Sequence, residues 1–365
     1  MPTALSELTT ALQATARLTD RERLYAKAQL AQLRLDHDAL GQWQALARLY
    51  PDFHVAAFNT ANLLRLANRY PAMREFARKA TARQAVTRPA AWHYLGVADA
   101  ALGDVVAARR HFKAARQSGF PAVFVEPALL EAAQHRHDEA LALLPPASGL
   151  PPPLALEQRM ARMTIAADAG RWSEAQGLAD DLAANTRKPR QAFEWAARAA
   201  VLAVRQHGAP AARLRVEVDA LIREAEATLP QTVGRTRESV AAAVLYAGYV
   251  AAGWGDAARV ARARALAAPV VDRSPFGVLA NLDAVAQARL ALKTGEADRA
   301  RRLLQAYQGD DGLALTRYWR ARAQGRSALA SYSRTAAALR LRAYGEWAAE
   351  RPPVLEALRP PPAGE

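Results

Sequence analysis

The chain has 365 residues, 51% of them hydrophobic and 23% charged, with no cysteine and a formal net charge of +14. One hydrophobic core stops growing near about 250–300 residues, so this length implies two or three domains or one long repeat array. Without cysteine there are no disulfides, thiolate zinc sites, iron–sulfur clusters or cysteine nucleophiles.

Alanine is abundant and Val, Ile and Thr form no alternating runs, which favours helix over sheet. The charge is uneven: residues 1–182 carry a net +3 and residues 183–365 a net +11. Only five of the 49 basic residues are lysines. An Arg- and Ala-rich balance also follows from GC-rich coding, so the excess alone names no partner.

From the N-terminus, Met1–Thr10 lacks the basic-then-apolar signature of a signal peptide, and a cytoplasmic location is expected. A first helical hairpin is expected from Arg21–Leu35 and a second helix holding Ala39 and Trp43, ending at Pro51. A second hairpin opens at Ala57-Phe58-Asn59-Thr60-Ala61-Asn62, turns at Asn68-Arg69-Tyr70, and carries Met73 and Ala80. The third, Ala90–Pro121, is the clearest. Trp92, Leu95 and Gly96 lie on its first helix and Ala108, Phe112 and Ala115 on its second. Between them, Gly103 ends the first helix and Asp104 caps the second. Ala39, Met73 and Ala108 recur at separations of 34 and 35 residues, a spacing that signals stacked repeats.

Downstream, Pro121–Leu144 forms a short hairpin with Ala140 in the small-residue slot. Prolines then crowd 145–153, which reads as a rigid joint. Leu154–Ala169, Gly170-Arg171-Trp172 and Ala175 restore the pattern, followed by hairpins near 190–229, 235–268 and 276–308. The uncharged run Ser239–Gly255 falls short of the roughly 20 residues a membrane span needs, and reads as a buried helix. Residues 309–350 read as capping helices and 351–365 as a disordered tail, so the expected arrays are 1–144 and 154–308.

The Trp-x2-Leu-Gly and Ala-x3-Phe spacing of residues 92–112 resembles the tetratricopeptide signature, with Asp99 standing where that family has an aromatic. The resemblance covers 20–121 well and 154–308 loosely. It implies an all-α solenoid of about eight antiparallel hairpins that binds a protein or peptide in its concave groove. Leu18-Thr19-Asp20-Arg21-Glu22-Arg23-Leu24 also resembles the lead-in to the repeat regions of bacterial multidomain regulators. There such arrays follow a kinase, cyclase or winged-helix domain, and the chain would then be a sensory or regulatory module of a larger protein.

On the tetratricopeptide frame the inward positions are Phe58, Asn59, Asn62, Arg65, His93, Tyr94 and Val97. Asn62 matches an asparagine that grips peptide C-termini in such domains, with Arg65 on the same face. The equivalent Leu24 and Ala28 lack the groups of a carboxylate clamp, so amide and aromatic contacts to an extended or helical segment are expected. A second candidate surface holds Arg317, Arg320, Arg322 and Arg326 among tyrosines, suited to an acidic protein segment or, as an alternative, a nucleic acid. Those tyrosines equally suit the core of a terminal hairpin.

His135 and His137 form the one close histidine pair, beside Asp138 and Glu139, but i, i+2 in a turn is not ligand spacing. No nucleophile elbow, P-loop or dinucleotide fingerprint occurs. A non-enzymatic protein without metal or cofactor is expected.

Overall fold

The computed structural model describes residues 2–13, 18–120, 124–186, 189–307, 313–334 and 336–345. Among these, every regular element is helical and there is no strand. In chain order the first helices are α1 (Pro2–Gln13), α2 (Asp20–Arg34), α3 (Ala39–Leu49), α4 (His54–Leu66), α5 (Tyr70–Lys79), α6 (Arg88–Ala101) and α7 (Val105–Gln117). Next come α8 (Val125–Ala133), α9 (His137–Ala142), α10 (Pro152–Asp168), α11 (Trp172–Asn185), α12 (Ala192–Arg205) and α13 (Ala211–Thr228). The series closes with α14 (Gly234–Ala252), α15 (Ala257–Val271), α16 (Val278–Lys293), α17 (Ala297–Gln305), α18 (Ala314–Gln324), α19 (Arg326–Arg334) and α20 (Ala336–Gly345). Pro121, the carboxylates Asp310 and Asp311, and the 351–365 tail lie outside the described residues.

Helices adjacent in sequence pack on one another from α1 through α7, from α8 through α13, and from α15 through α20. The chain forms two compact units. One comprises Met1–Val123 with Val233–Arg235 and Asp272–Phe276; the other comprises Phe124–Thr232, Thr236–Val271 and Gly277–Glu365.

One turn geometry recurs in both units. Leu35, Asn68, Gly103, His135, Gly170, Gly255 and Gly295 each hold a positive φ just after a helix ends. In each case the next amide reaches back five residues to a helical carbonyl. Asp104 N–H donates to Asp99 (2.9 Å), Arg69 to Leu64 (2.9 Å), Arg136 to Glu131 (3.1 Å) and Arg171 to Ala166 (2.9 Å). This bond satisfies an orphan carbonyl of the first helix and fixes where the second one starts. At Asp104 the turn is completed by a side-chain cap on the Ala107 amide (2.9 Å).

The small-residue positions are sealed: Ala39, Met73, Ala108, Ala140, Ala175 and Ala300 are all buried. Gly96 has a sharper reason to be small. A Cβ there would sit 2.5 Å from the Phe112 ring, so the glycine makes room for Phe112 on α7. Trp92 is half-buried and lies over His111 (5.4 Å between ring centres), whereas Trp43 and Trp195 are fully enclosed.

Val240–Leu245 and Val250–Ala252 are buried within α14, as the uncharged run suggested. No described helix is long and apolar enough to cross a membrane.

The proline-rich stretch belongs to the second unit. A 3-10 turn at Ala147–Gly149 leads into α10, and Gln158 donates to the Pro145 carbonyl at 2.9 Å. Leu150 and Leu154 pack on a cluster containing Phe124, Leu129, Ile165 and Tyr344.

Candidate functional site

In the first unit, α4 and α6 bring four of the inward candidates together. Phe58 stacks on Tyr94 with 5.0 Å between ring centres and 12° between planes. The Tyr94 hydroxyl donates to Asn62 Oδ1 at 2.8 Å, and the Arg65 guanidinium lies 5.7 Å from the Tyr94 ring centre. All four side chains are half-buried, and they follow the 58, 62, 65 spacing of one helix face. Asn62 thus bridges α4 to α6 through its oxygen, while its Nδ2 hydrogens have no partner among the described residues. Asn59 is half-buried beside them on α4. The surface can offer an amide donor, a guanidinium and an aromatic plane.

The other inward candidates do not join this face. His93 is buried, with ring centres 5.9 Å from Phe112 and 5.0 Å from Phe120, because it sits one residue and roughly 100° around the helix from Tyr94. Val97 is buried as well. At the clamp-equivalent positions of α2, Ala28 is sealed in the core.

Asp99 is buried on α6. Its carboxylate faces His111 Nδ1 at 2.7 Å and Arg74 Nη1 at 3.6 Å. This buried carboxylate is therefore compensated by two basic side chains, from α5 and α7, rather than left alone.

In the second unit the C-terminal arginines do not form one exposed stripe. Arg317, Arg320 and Arg322 are half-buried and only Arg326 is exposed. Arg322 lies 5.5 Å from the Trp319 ring centre and donates to the Tyr318 hydroxyl at 2.9 Å. Tyr318 and Trp319 are core residues.

Around them runs a cluster that the sequence did not announce. Arg289 of α16 lies 4.3 Å from the Tyr249 ring centre and 5.6 Å from that of Trp319, and donates to Gln206 Oε1 at 3.2 Å. Trp319 Nε1 donates to the Tyr249 hydroxyl at 3.0 Å. Burial pulls the Arg289 guanidinium down to about 10. Gly253 makes space for it, since a Cβ there would meet Nη2 at 2.7 Å.

A cavity of about 270 Å3 between α12 and α13 is bounded by Arg198, Arg205, Glu217 and Glu224. Arg205 reaches Asp180 (2.6 Å) and Glu217 (2.5 Å), and Arg198 reaches Glu224 (3.1 Å), so the charges answer one another.

The rings of His135 and His137 meet edge to face, 5.9 Å between centres. His137 turns to Asp168 (Nε2 to Oδ2, 2.9 Å), while Asp138 bonds Arg171. No group of three His, Asp or Glu residues placed to hold a metal occurs among the described residues. Asp168 also collects Arg340 and Tyr344 of α20. Sequence alone gave Arg340 only as one more arginine of the basic C-terminal half, and it gave no sign of Asp168.

No protein-family profile matches the chain, and no curated protein matches it.

Proposed function

We propose that the chain is a non-enzymatic, tetratricopeptide-like α-solenoid of about eight hairpins that binds a protein or peptide segment. The binding face is the one carrying Phe58, Asn59, Asn62, Arg65 and Tyr94. The observation that carries this reading is the half-exposed Phe58–Tyr94 stack, flanked by the Asn62 amide and the Arg65 guanidinium. A half-exposed aromatic ledge of this kind offers a stacking plane to a partner's side chains, and a bound main chain offers carbonyls to the Asn62 amide. The recurring five-residue turn bond and the sealed small residues support the repeat architecture.

The test begins with a displayed peptide library selected on the full chain. Enriched peptides are then titrated against the wild type and the Asn62→Ala, Arg65→Ala double variant. Loss of roughly tenfold or more in affinity is expected, since each good polar contact contributes about 1 kcal/mol. Unchanged affinity in a variant that melts like the parent removes this site.

A further inference from the structure

Two helix C-termini and a carboxylate meet at one place in the second unit. Ala132 and Ala133 end α8, and Asp168 is the last residue of α10. Helix C-termini present unsatisfied carbonyls and a partial negative charge. A buried aspartate added there would be strongly disfavoured without a cation, and that cation must also donate to the carbonyls.

Arg340 of α20 does both. Its Nη1 and Nη2 take the two Asp168 oxygens at 3.2 and 2.5 Å, while Nε and Nη2 donate to the Ala133 and Ala132 carbonyls, each at 3.1 Å. The side chain is buried. One turn further on, the Tyr344 hydroxyl donates to Asp168 Oδ2 at 2.7 Å, and the Tyr344 ring lies 5.8 Å from the Arg340 guanidinium. His137 completes the ring of donors; a carboxylate can only accept, so the imidazole Nε2 carries the proton. Below this polar ring lies an apolar floor containing Leu129, Ala132, Ala161 and Ile165, on which Leu341 and Tyr344 rest.

We propose that the α8–α10 ends form a guanidinium-recognition site for a helix carrying Arg, Leu and Tyr at positions i, i+1 and i+4. In this chain α20 occupies it, and a partner helix of the same pattern competes for it. Several features single out that ligand. The planar fork of arginine matches one carboxylate and two carbonyls at once, which the point charge of lysine cannot do. The i, i+4 spacing sets the tyrosine hydroxyl over the same carboxylate. A ten-residue helix such as α20 is marginal by itself, so its order depends on this seat. The site shares no residue with the α4–α6 face and stands or falls separately from it.

The experiment uses the full chain with Arg340→Ala and Tyr344→Ala, and a labelled synthetic peptide of residues 336–345. Binding to this variant at least tenfold tighter than to the wild type, whose seat is filled, is expected. Adding Asp168→Asn to the variant, or exchanging the peptide's arginine for lysine, should each remove most of that binding. Equal binding to variant and wild type, no binding to a variant that keeps its helical content, or indifference to Asp168→Asn overturns the proposal. Should the variant lose helical content, hydrogen exchange on the wild type with excess peptide decides. Faster exchange confined to α20 supports competition, and an unchanged pattern refutes it.

Discussion

Gly96→Ala sets two well-known effects against each other at one atom. In the interior of α6, alanine is favoured over glycine by about 0.5–1 kcal/mol, so on an open helix face the change would stabilise. Here the new methyl would lie 2.5 Å from Phe112 Cδ1 and Cε1 and 3.0 Å from Cγ, against the 3.5–4.0 Å at which carbon atoms rest. The ring would have to retreat by about 1 Å. It is enclosed, with His93 at 5.9 Å on one side and the buried Ala108 and Ala115 of its own helix nearby. Overpacking of this kind costs about 1–3 kcal/mol. Subtracting the helix gain leaves a net loss of about 1 kcal/mol, localised to the α6–α7 pair. Urea unfolding followed by circular dichroism measures it, and a double-mutant cycle with Phe112→Leu assigns it. The smaller side chain should relieve the clash, so the double variant should be more stable than the sum of the single changes predicts. A Gly96→Ala protein more stable than the parent, or strict additivity with Phe112→Leu, would refute the close packing.

Asp99→Ala should destabilise the first unit by about 1–3 kcal/mol, because it leaves the mostly buried His111 imidazole without its carboxylate partner while the more exposed Arg74 turns to water; a loss under about 0.5 kcal/mol in urea unfolding would show that the buried carboxylate is idle. Acid should release α20. At Asp168, burial pushes the carboxyl up, but the hydrogen bond and charge of Arg340, with the bonds from Tyr344 and His137, outweigh it and hold the carboxyl below its ordinary value. A lowered folded value stabilises docking above the unfolded value of roughly 3.9, and that contribution is lost as the pH falls through the folded value. Among the described residues, Arg340 and Tyr344 on α20, His135 in the turn before α9 and His137 at its start are the charged or titratable groups facing it. Hydrogen exchange in 336–345 should therefore stay slow from neutrality to about pH 4 and rise below it, whereas release already at pH 6 would contradict the assignment.

What the sequence disclosed is what repeats or what local chemistry enforces. Gly103 and Gly170 announce their turns because a left-handed residue is needed and glycine supplies it. Leu35 and His135 adopt the same backbone with side chains that give no such warning, so their turns were legible only from the helices around them. The period placed Ala39, Met73 and Ala108 correctly in the core. Phe58 and Tyr94, 36 positions apart and so close to that spacing, do share one face. His93 shows the resolution limit of such reasoning. A shift of one residue turns a side chain by about 100°, from a ledge into a core, and a period read to within one or two residues cannot separate them.

Arg340 marks a deeper boundary. In a chain with so many arginines, an arginine that solvates a surface and one that closes two helix ends look the same in sequence. What distinguishes Arg340 is the set of acceptors it meets, and these come from Ala132, Ala133 and Asp168, more than 170 positions earlier. Packing between helices adjacent in sequence encodes only short separations and says nothing about a helix that returns across the unit. A return of that length must be specified by chemistry rather than by period: orphan carbonyls and a buried carboxylate exclude every apolar side chain, and the bidentate geometry excludes lysine. The same argument makes the seat selective for any helix that would replace α20, because a competitor lacking both the guanidinium and the hydroxyl leaves Asp168 buried with His137 as its remaining side-chain donor among the described residues.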